Sequence, residues 1–114
     1  ANDGLLLQPT ILADTAPEPE ARIFSVKTAE KLQEAMRKVV TEGTGKKANS
    51  ITVKTAGKTG TAEVEGKKPH AWFAGFAPYE DPEIAVVVIL ENAGTGGEKA
   101  APIFRELIDY YFSR

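Results

Sequence analysis

Three strand-like segments follow one another between residues 51 and 91, and only short turns separate them. The turn segments Glu65–Pro69 and Pro78–Pro82 are rich in the Gly, Pro and charged residues typical of turns. Parallel strands need a crossover connection of about a dozen residues or more, which turns this short cannot provide. The sequence therefore predicts a three-stranded antiparallel meander over residues 51–91.

Each of the three segments has its own pattern of apolar residues. The first begins with apolar–polar alternation from Ile51 and continues into the residues around Lys58. The second, Ala71–Ala77, is dense in aromatic residues, which suits a sheet packed against helices. The third, Ile84–Leu90, is apolar at every position, which predicts an inner strand covered on both faces.

Two helices are predicted to flank this sheet, which makes the fold class α+β. The first covers residues 25–42, with Ser25 or Thr28 as its N-cap. The second covers residues 98–113, and Pro102 is tolerated in its first turn, where its missing N–H would have no partner. The predicted buried stripes are Ala29, Leu32, Met36, Val39 and Val40 in the first helix, and Ala100, Phe104, Leu107 and Tyr111 in the second.

Residues 1–24 are predicted to be an extended segment followed by a Pro-rich loop. Ala1–Gly4 has the Asn and Gly typical of a helix C-terminus, which indicates that the chain was cut from a longer one. Leu5–Gln8 is extended and Pro9 interrupts it, while Ala13–Glu20 is predicted to be a surface loop.

The segment Gly57-Lys58-Thr59-Gly60-Thr61-Ala62 carries the chemistry of the chain. Lysine supplies a point charge on a flexible stem, and the two threonine hydroxyls can donate to the same anion. Gly60 has no Cβ, so a ligand can approach the backbone there closely. These residues predict an anion-binding strand edge. The alternative is a solvated strand that carries Lys and Thr, both found at exposed β positions.

A phosphate-binding P-loop also contains Gly-Lys-Thr, but its spacing is absent here. That motif needs a glycine at position 52, where this chain has Thr52, and a helix starting at the lysine. The residues after Lys58 alternate like a strand instead. The second candidate, Gly45-Lys46-Lys47, has Lys47 where Ser or Thr is required. The nucleotide-binding interpretation is therefore disfavoured.

Composition excludes several other classes of function. A net charge of −2 without a Lys/Arg run argues against a nucleic-acid-binding protein. The longest apolar stretch is strand-sized, and no cysteine is available for disulfides or thiol chemistry. One histidine, His70, cannot build a histidine metal site, and the carboxylates are not grouped as one. We expect neither a metal nor a cofactor.

The order of these parts resembles a known family. Lys58–Thr61 on a strand is followed by an aromatic strand with Trp72 and Gly75, an apolar strand and a C-terminal helix. This order resembles the last third of a penicillin-binding protein transpeptidase domain, whose motifs include K-T-G. The similarity covers essentially the whole chain. The segment His70-Ala71-Trp72-Phe73 is most similar to the class B, elongation-type enzymes.

The resemblance implies serine acyl transfer to peptidoglycan stem peptides and covalent binding of β-lactam antibiotics. By this likeness, Lys58 places a positive charge near the substrate's terminal carboxylate and supports proton transfer near the nucleophile. The Thr59 and Thr61 hydroxyls contact that carboxylate, and the Thr61 backbone N–H forms half of the oxyanion hole. Gly60 belongs to the same substrate-binding strand. His70 and Trp72 either line the rim of the cleft or serve only packing and the hairpin.

The nucleophile of that family is absent from this chain. The serines are Ser25, Ser50 and Ser113, and none belongs to a Ser-x-x-Lys or Ser-x-Asn motif. The resemblance thus implies that the missing N-terminal part of the same domain is a partner and that this chain alone is inactive. It also implies a location on the extracytoplasmic face of the bacterial cytoplasmic membrane, with the anchor outside this chain. The alternatives are a non-catalytic β-lactam sensor of the same fold and an unrelated α+β binding module.

Overall fold

A computed structural model describes all residues from 1 to 114 and contains two helices and two small sheets. The elements are β1 (Leu5–Leu7), β2 (Pro19–Arg22), α1 (Val26–Thr41), a 3₁₀ turn (Lys46–Ala48), β3 (Ala56–Ala62), β4 (His70–Ala77), β5 (Ile84–Leu90), a π-helical turn (Gly96–Ala100) and α2 (Ala101–Phe112). The larger sheet has the order β3-β4-β5, with both pairs antiparallel. The predicted α+β class and three-stranded meander are confirmed. Neither helix is long and apolar enough to cross a membrane.

The register of the meander divides its residues between two faces. Thr59 lies opposite Phe73, whereas Gly60 lies opposite Trp72. Because successive side chains of a strand point to opposite faces, Thr59 shares the face of Phe73, and Gly60 shares the face of Trp72. The Phe73 ring packs on Phe104 of α2, with ring centroids 4.7 Å apart. We call the face covered by α2 the inner face and the opposite one the outer face.

The core lies between the inner face and α2. Phe73, Phe104 and Ile108 are completely buried there. A Cβ on Gly75 would lie 2.8 Å from the Phe104 ring and 2.6 Å from the Ala56 carbonyl oxygen. Gly75 is therefore the residue that allows the Phe104 ring to reach the sheet.

Within these 114 residues, the third strand is not the inner strand covered on both faces that its apolar sequence predicts. β5 is an edge strand, because it pairs with β4 alone. Val88 on the inner face is buried, but Val87 on the outer face is 64% exposed and Ile89 is also exposed. Only the inner face is covered, because α2 packs there and no other element of this chain packs over Val87 and Ile89.

The first strand begins at Ala56, not at Ile51 as predicted from the alternation. Hydrogen bonds from side chains to the backbone keep the residues before Ala56 from pairing with a neighbouring strand. The Ser50 hydroxyl accepts from the backbone N–H groups of Thr52, at 3.0 Å, and Val53, at 3.2 Å. The buried Thr55 hydroxyl donates to the Ala48 carbonyl at 2.7 Å. Such local bonds compete with strand pairing, and Ile51 is left 98% exposed.

The predicted buried stripe of the second helix is partly wrong. Leu107 and Tyr111 are exposed, and the buried residues are Ala100, Ala101, Phe104 and Ile108. Phe104 and Ile108 are about one helical turn apart and both lie in the core, whereas Leu107 and Tyr111 belong to the neighbouring stripe of the helix. A π-helical turn precedes α2, in which the Ala101 N–H donates to the Gly96 carbonyl, five residues back.

The first helix is capped by Ser25, whose hydroxyl accepts from the Thr28 N–H at 3.2 Å. Ala29 and Val40 are buried as predicted, but Leu32 is exposed. Leu32 faces an apolar groove of about 400 Å³ between α1 and the β1–β2 hairpin. The hairpin takes up the end of the predicted Ala13–Glu20 loop, since β2 begins at Pro19.

The first four residues form a turn into β1. Asp3 and Gly4 have φ values of 47° and 79°. The Leu5 N–H donates to the Asn2 carbonyl at 2.8 Å. A Cβ on Gly4 would lie 2.3 Å from the Phe24 carbonyl oxygen, so this position requires glycine.

Candidate functional site

The candidate site lies at the free edge of β3, which pairs with β4 alone. Lys58 is exposed, and its Nζ donates to the Thr59 carbonyl at 2.7 Å and to Thr59 Oγ1 at 3.2 Å. The two side chains leave the strand on opposite faces, so the lysine reaches Thr59 by bending around the free edge. A cation and a hydroxyl thus meet at the unpaired side of the strand.

Four threonines line a cavity on the inner side of this edge. We call it the threonine pocket; it measures about 410 Å³ and has no apolar residue in its lining. Its lining residues are Thr44, Thr59, Thr61, Thr95, Gly97 and Glu98. Thr44 Oγ1 and Thr59 Oγ1 are hydrogen-bonded at 2.7 Å. Because the Thr59 oxygen accepts from Lys58, its proton is free for Thr44 or for a ligand.

The loop after α1 positions Thr44. Its neighbours fold back on the helix end: the Gly43 N–H donates to the Lys38 carbonyl and the Gly45 N–H to the Val39 carbonyl, both at 3.0 Å. Satisfying the last helical carbonyls in this way fixes the exit direction of the loop.

The connector between β5 and α2 forms the opposite side of the threonine pocket. A Cβ on Gly96 would lie 2.1 Å from the Trp72 carbonyl oxygen and 2.4 Å from that of Gly60. A Cβ on Gly97 would lie 2.4 Å from the Thr44 carbonyl oxygen. The Gly96 N–H also donates to Thr61 Oγ1 at 3.4 Å. The connector can therefore lie directly on the strand backbones only because both residues lack a side chain.

One ion pair joins two of the turns beside the threonine pocket. Lys47 Nζ lies 2.5 Å from Glu98 Oε2, which joins the 3₁₀ turn to the π-helical turn. The hydrogen bond from Lys47, together with its charge, lowers the pKa of the Glu98 carboxyl from its ordinary value of 4.5. Glu98 is therefore an anion at neutral pH.

The other predicted site residues lie outside the threonine pocket. Gly60 is on the outer face, where a Cβ would lie 3.0 Å from Trp72 Cβ. Trp72 is 37% exposed on that face. His70 begins β4, and its Nδ1 accepts from the Asn92 N–H at 2.9 Å. The absent side chain of Gly60 thus leaves room for Trp72, while His70 holds the start of the β5–α2 connector.

Of the six residues that line the threonine pocket, the sequence predicted only Thr59 and Thr61 as site residues. Thr44, Thr95, Gly97 and Glu98 are not among the predicted site residues. A signal was present in the loops 43–47 and 92–97, since each contains a threonine flanked by glycines. A hydroxyl on backbone that other chain segments can approach closely is suited to a ligand site.

Comparison with known proteins identifies the family. The family model described as the penicillin binding protein transpeptidase domain matches residues 1–109. The peptidoglycan D,D-transpeptidase MrdA of Haemophilus influenzae is 36% identical over 100% of this chain and 20% of that protein. PbpA of Mycolicibacterium smegmatis, also named a peptidoglycan D,D-transpeptidase, is 37% identical over 95% of this chain and 26% of that protein.

Solved structures agree with this assignment. The ceftriaxone acyl-enzyme complex of penicillin-binding protein A from M. tuberculosis matches with a TM-score of 0.83 and 33% identity, over 95% of this chain and 28% of that one. The transpeptidase domain of Burkholderia pseudomallei penicillin-binding protein 3 matches with a TM-score of 0.85 and 30% identity, over 99% of this chain and 38% of that one. The chain spans about a fifth to a quarter of the curated relatives it matches. It belongs to the penicillin-binding protein transpeptidase domain family.

Proposed function

We propose that this chain forms one side of the active site of a peptidoglycan D,D-transpeptidase that also binds β-lactams covalently. The observation that carries the proposal is the threonine pocket at the free edge of β3, with the Lys58 ammonium 3.2 Å from the Thr59 hydroxyl. Clustered hydroxyls beside a cation suit a carboxylate, which is acceptor-only when ionised. Stem peptides and penicillins both carry such a carboxylate.

In this proposal the Thr59 and Thr61 hydroxyls donate hydrogen bonds to the ligand carboxylate, and Lys58 supplies the positive charge beside it. The backbone at Gly60 and Thr61 docks the peptide-like part of the ligand along the strand edge. The Thr61 N–H then serves as one of two oxyanion-hole donors. One such donor contributes about 3–4 kcal/mol to the transition state.

The nucleophile must come from outside these residues, because no serine here has the Ser-x-x-Lys spacing. We infer that the remaining part of the same domain supplies it and packs beside this chain, which would then be the C-terminal portion. Cross-linking of stem peptides is therefore proposed for the complete protein, acting at the extracytoplasmic face of the cytoplasmic membrane. The acyl-enzyme complexes of the relatives with ceftriaxone and imipenem support covalent β-lactam binding.

The test is the rate of acylation of the complete protein by a labelled penicillin. Lys58→Ala should slow acylation by about 10²–10³-fold, as expected for loss of a group that stabilises charge in the transition state. The melting temperature should hardly change, because Lys58 is exposed and fills no core space. Lys67→Ala is the matched control, since Lys67 is exposed in the β3–β4 turn. Normal acylation of the Lys58→Ala protein would refute the proposal.

A second assay separates the synthase from a β-lactam sensor of the same fold. The complete protein is given nascent glycan strands with stem peptides, and cross-linked products are counted by mass spectrometry. A protein that is acylated but never forms a cross-link is a sensor.

The 114-residue chain by itself should form no penicillin adduct when its intact mass is measured.

A further inference from the structure

One of the residues that line the threonine pocket is charged, and its negative charge is unfavourable for an anionic ligand. Glu98 contributes a carboxylate, whereas the other lining residues are four threonines and Gly97. A carboxylate in a pocket of about 410 Å³ repels an anionic ligand at close range. A site built to receive a carboxylate therefore needs a means of neutralising Glu98.

Lys47 is placed to do this. Its Nζ lies 2.5 Å from Glu98 Oε2, although the two residues are 51 positions apart in the chain. Lys47 is the main cause of the lowered pKa of the Glu98 carboxyl, and Lys99 contributes the smallest share. The neighbouring Lys46 is exposed and forms no ion pair. The neutralisation is therefore specific to Lys47.

We propose that Lys47 is a specificity-determining residue, which neutralises Glu98 so that the threonine pocket accepts a ligand carboxylate. The proposal rests on the proposed function, because it concerns the charge of the same ligand. Lys47 contacts Glu98 and is not among the residues that line the pocket, so it acts through the charge of the pocket. Without Lys47 the pocket disfavours an anion, and without both Lys47 and Glu98 it is neutral again.

Four variants of the complete protein test this: Lys47→Met, Glu98→Gln, the double variant, and Lys46→Met as the matched control. Each is acylated by benzylpenicillin, which has a free carboxylate, and by its methyl ester, which has none. Lys47→Met should lower the second-order acylation rate constant for the acid by about three- to tenfold, as expected for one unpaired charge at a solvated site. The rate constant for the ester should stay unchanged.

The double variant should return the rate constant for the acid to the wild-type value. Glu98→Gln alone should equal or exceed wild type, because Lys47 then faces the pocket without a partner. The loss in Lys47→Met should shrink at 1 M salt, since salt screens charges that are exposed. Lys46→Met should behave as wild type with both compounds.

Two results would overturn the proposal. An equal loss for the acid and the ester would show that the ion pair only ties the two turns together. An unchanged acylation rate constant for the acid in Lys47→Met would show that the charge of Glu98 does not affect the ligand. Lys58→Ala, measured in parallel, keeps the two proposals apart: if it is acylated slowly while the Lys47 series is unaffected, only the role of Lys47 is refuted.

Discussion

Gly96→Ala tests the contact that positions the β5–α2 connector on the sheet. The added Cβ would lie 2.1 Å from the Trp72 carbonyl oxygen, 2.4 Å from the Gly60 carbonyl oxygen and 3.0 Å from the Gly60 nitrogen. Carbon and oxygen atoms approach to about 3.3 Å in proteins, so the connector must withdraw by roughly 1 Å. All three atoms are backbone of paired strands, so no side-chain rotation relieves the contact.

The expected cost follows from this geometry. Inserting a methyl group into a packed interior costs about 1–3 kcal/mol, and a rigid backbone on the other side places this case at the upper end. Withdrawing the connector also moves Thr95, Gly97 and Glu98 away from Thr59 and Thr61. A misplacement of about 1 Å in a site can reduce turnover by about 10²-fold. Gly96→Ala should therefore lower both stability and acylation.

The assay is urea unfolding and penicillin acylation of the complete protein carrying Gly96→Ala. Gly66→Ala is the control, because Gly66 has φ of 69° in the β3–β4 turn and a Cβ there would meet nothing within 4 Å. The control should lose only the backbone cost of a left-handed residue, about 1–2 kcal/mol, and keep its acylation rate. Wild-type stability and acylation in Gly96→Ala would refute the close approach. Lost stability with full acylation would show that this contact does not position the pocket.

Three further changes test other contacts. Gly60→Val should cost about 1–3 kcal/mol in urea unfolding, because its Cβ would crowd Trp72 Cβ at 3.0 Å; unchanged stability would contradict this. His70→Ala removes the acceptor of the Asn92 N–H and should cost about 0.5–1.5 kcal/mol while acylation stays within twofold; lost acylation at full stability would instead place His70 in catalysis. The Lys54 hydrogen bond lowers the pKa of Glu80 from 4.5, so the stability it provides is complete above pH 4.5 and is lost as the pH falls through the lowered pKa. Glu80→Gln should therefore weaken the pH dependence of the urea unfolding midpoint below pH 4.5. An unchanged pH dependence in that range would show that the Lys54–Glu80 pair adds no stability.

The meander was predictable because its determinants are local. Short turns permit only antiparallel neighbours, and the residues Lys58–Thr61 therefore had to lie on a strand beside the aromatic one. The alternation from Ile51 misled because Ser50 and Thr55 offer side-chain bonds to the backbone that compete with a strand ladder. The buried stripe of α2 was missed because Leu107 and Ile108 are both apolar, and apolar spacing alone does not decide which of the two faces the core.

Only Thr59 and Thr61 of the pocket were predictable, because the other lining residues reach it from distant parts of the chain. Thr44 meets Thr59 across 15 positions, and Lys47 meets Glu98 across 51. Each of these residues is ordinary in its own loop, where a lysine or a threonine is expected to be solvated. Their function arises only when the sheet brings three separate segments to one edge.

The two edges of the sheet differ in their tendency to recruit another strand. β3 presents a lysine and two glycines along its free edge, and such residues discourage pairing with a further chain. β5 presents seven apolar residues without a charge, a proline or a glycine, and Val87 and Ile89 are exposed. That combination is typical of strands that aggregate. When the 114-residue chain is purified by itself, self-association should therefore proceed through β5, and the edge that carries Lys58 should stay accessible to solvent.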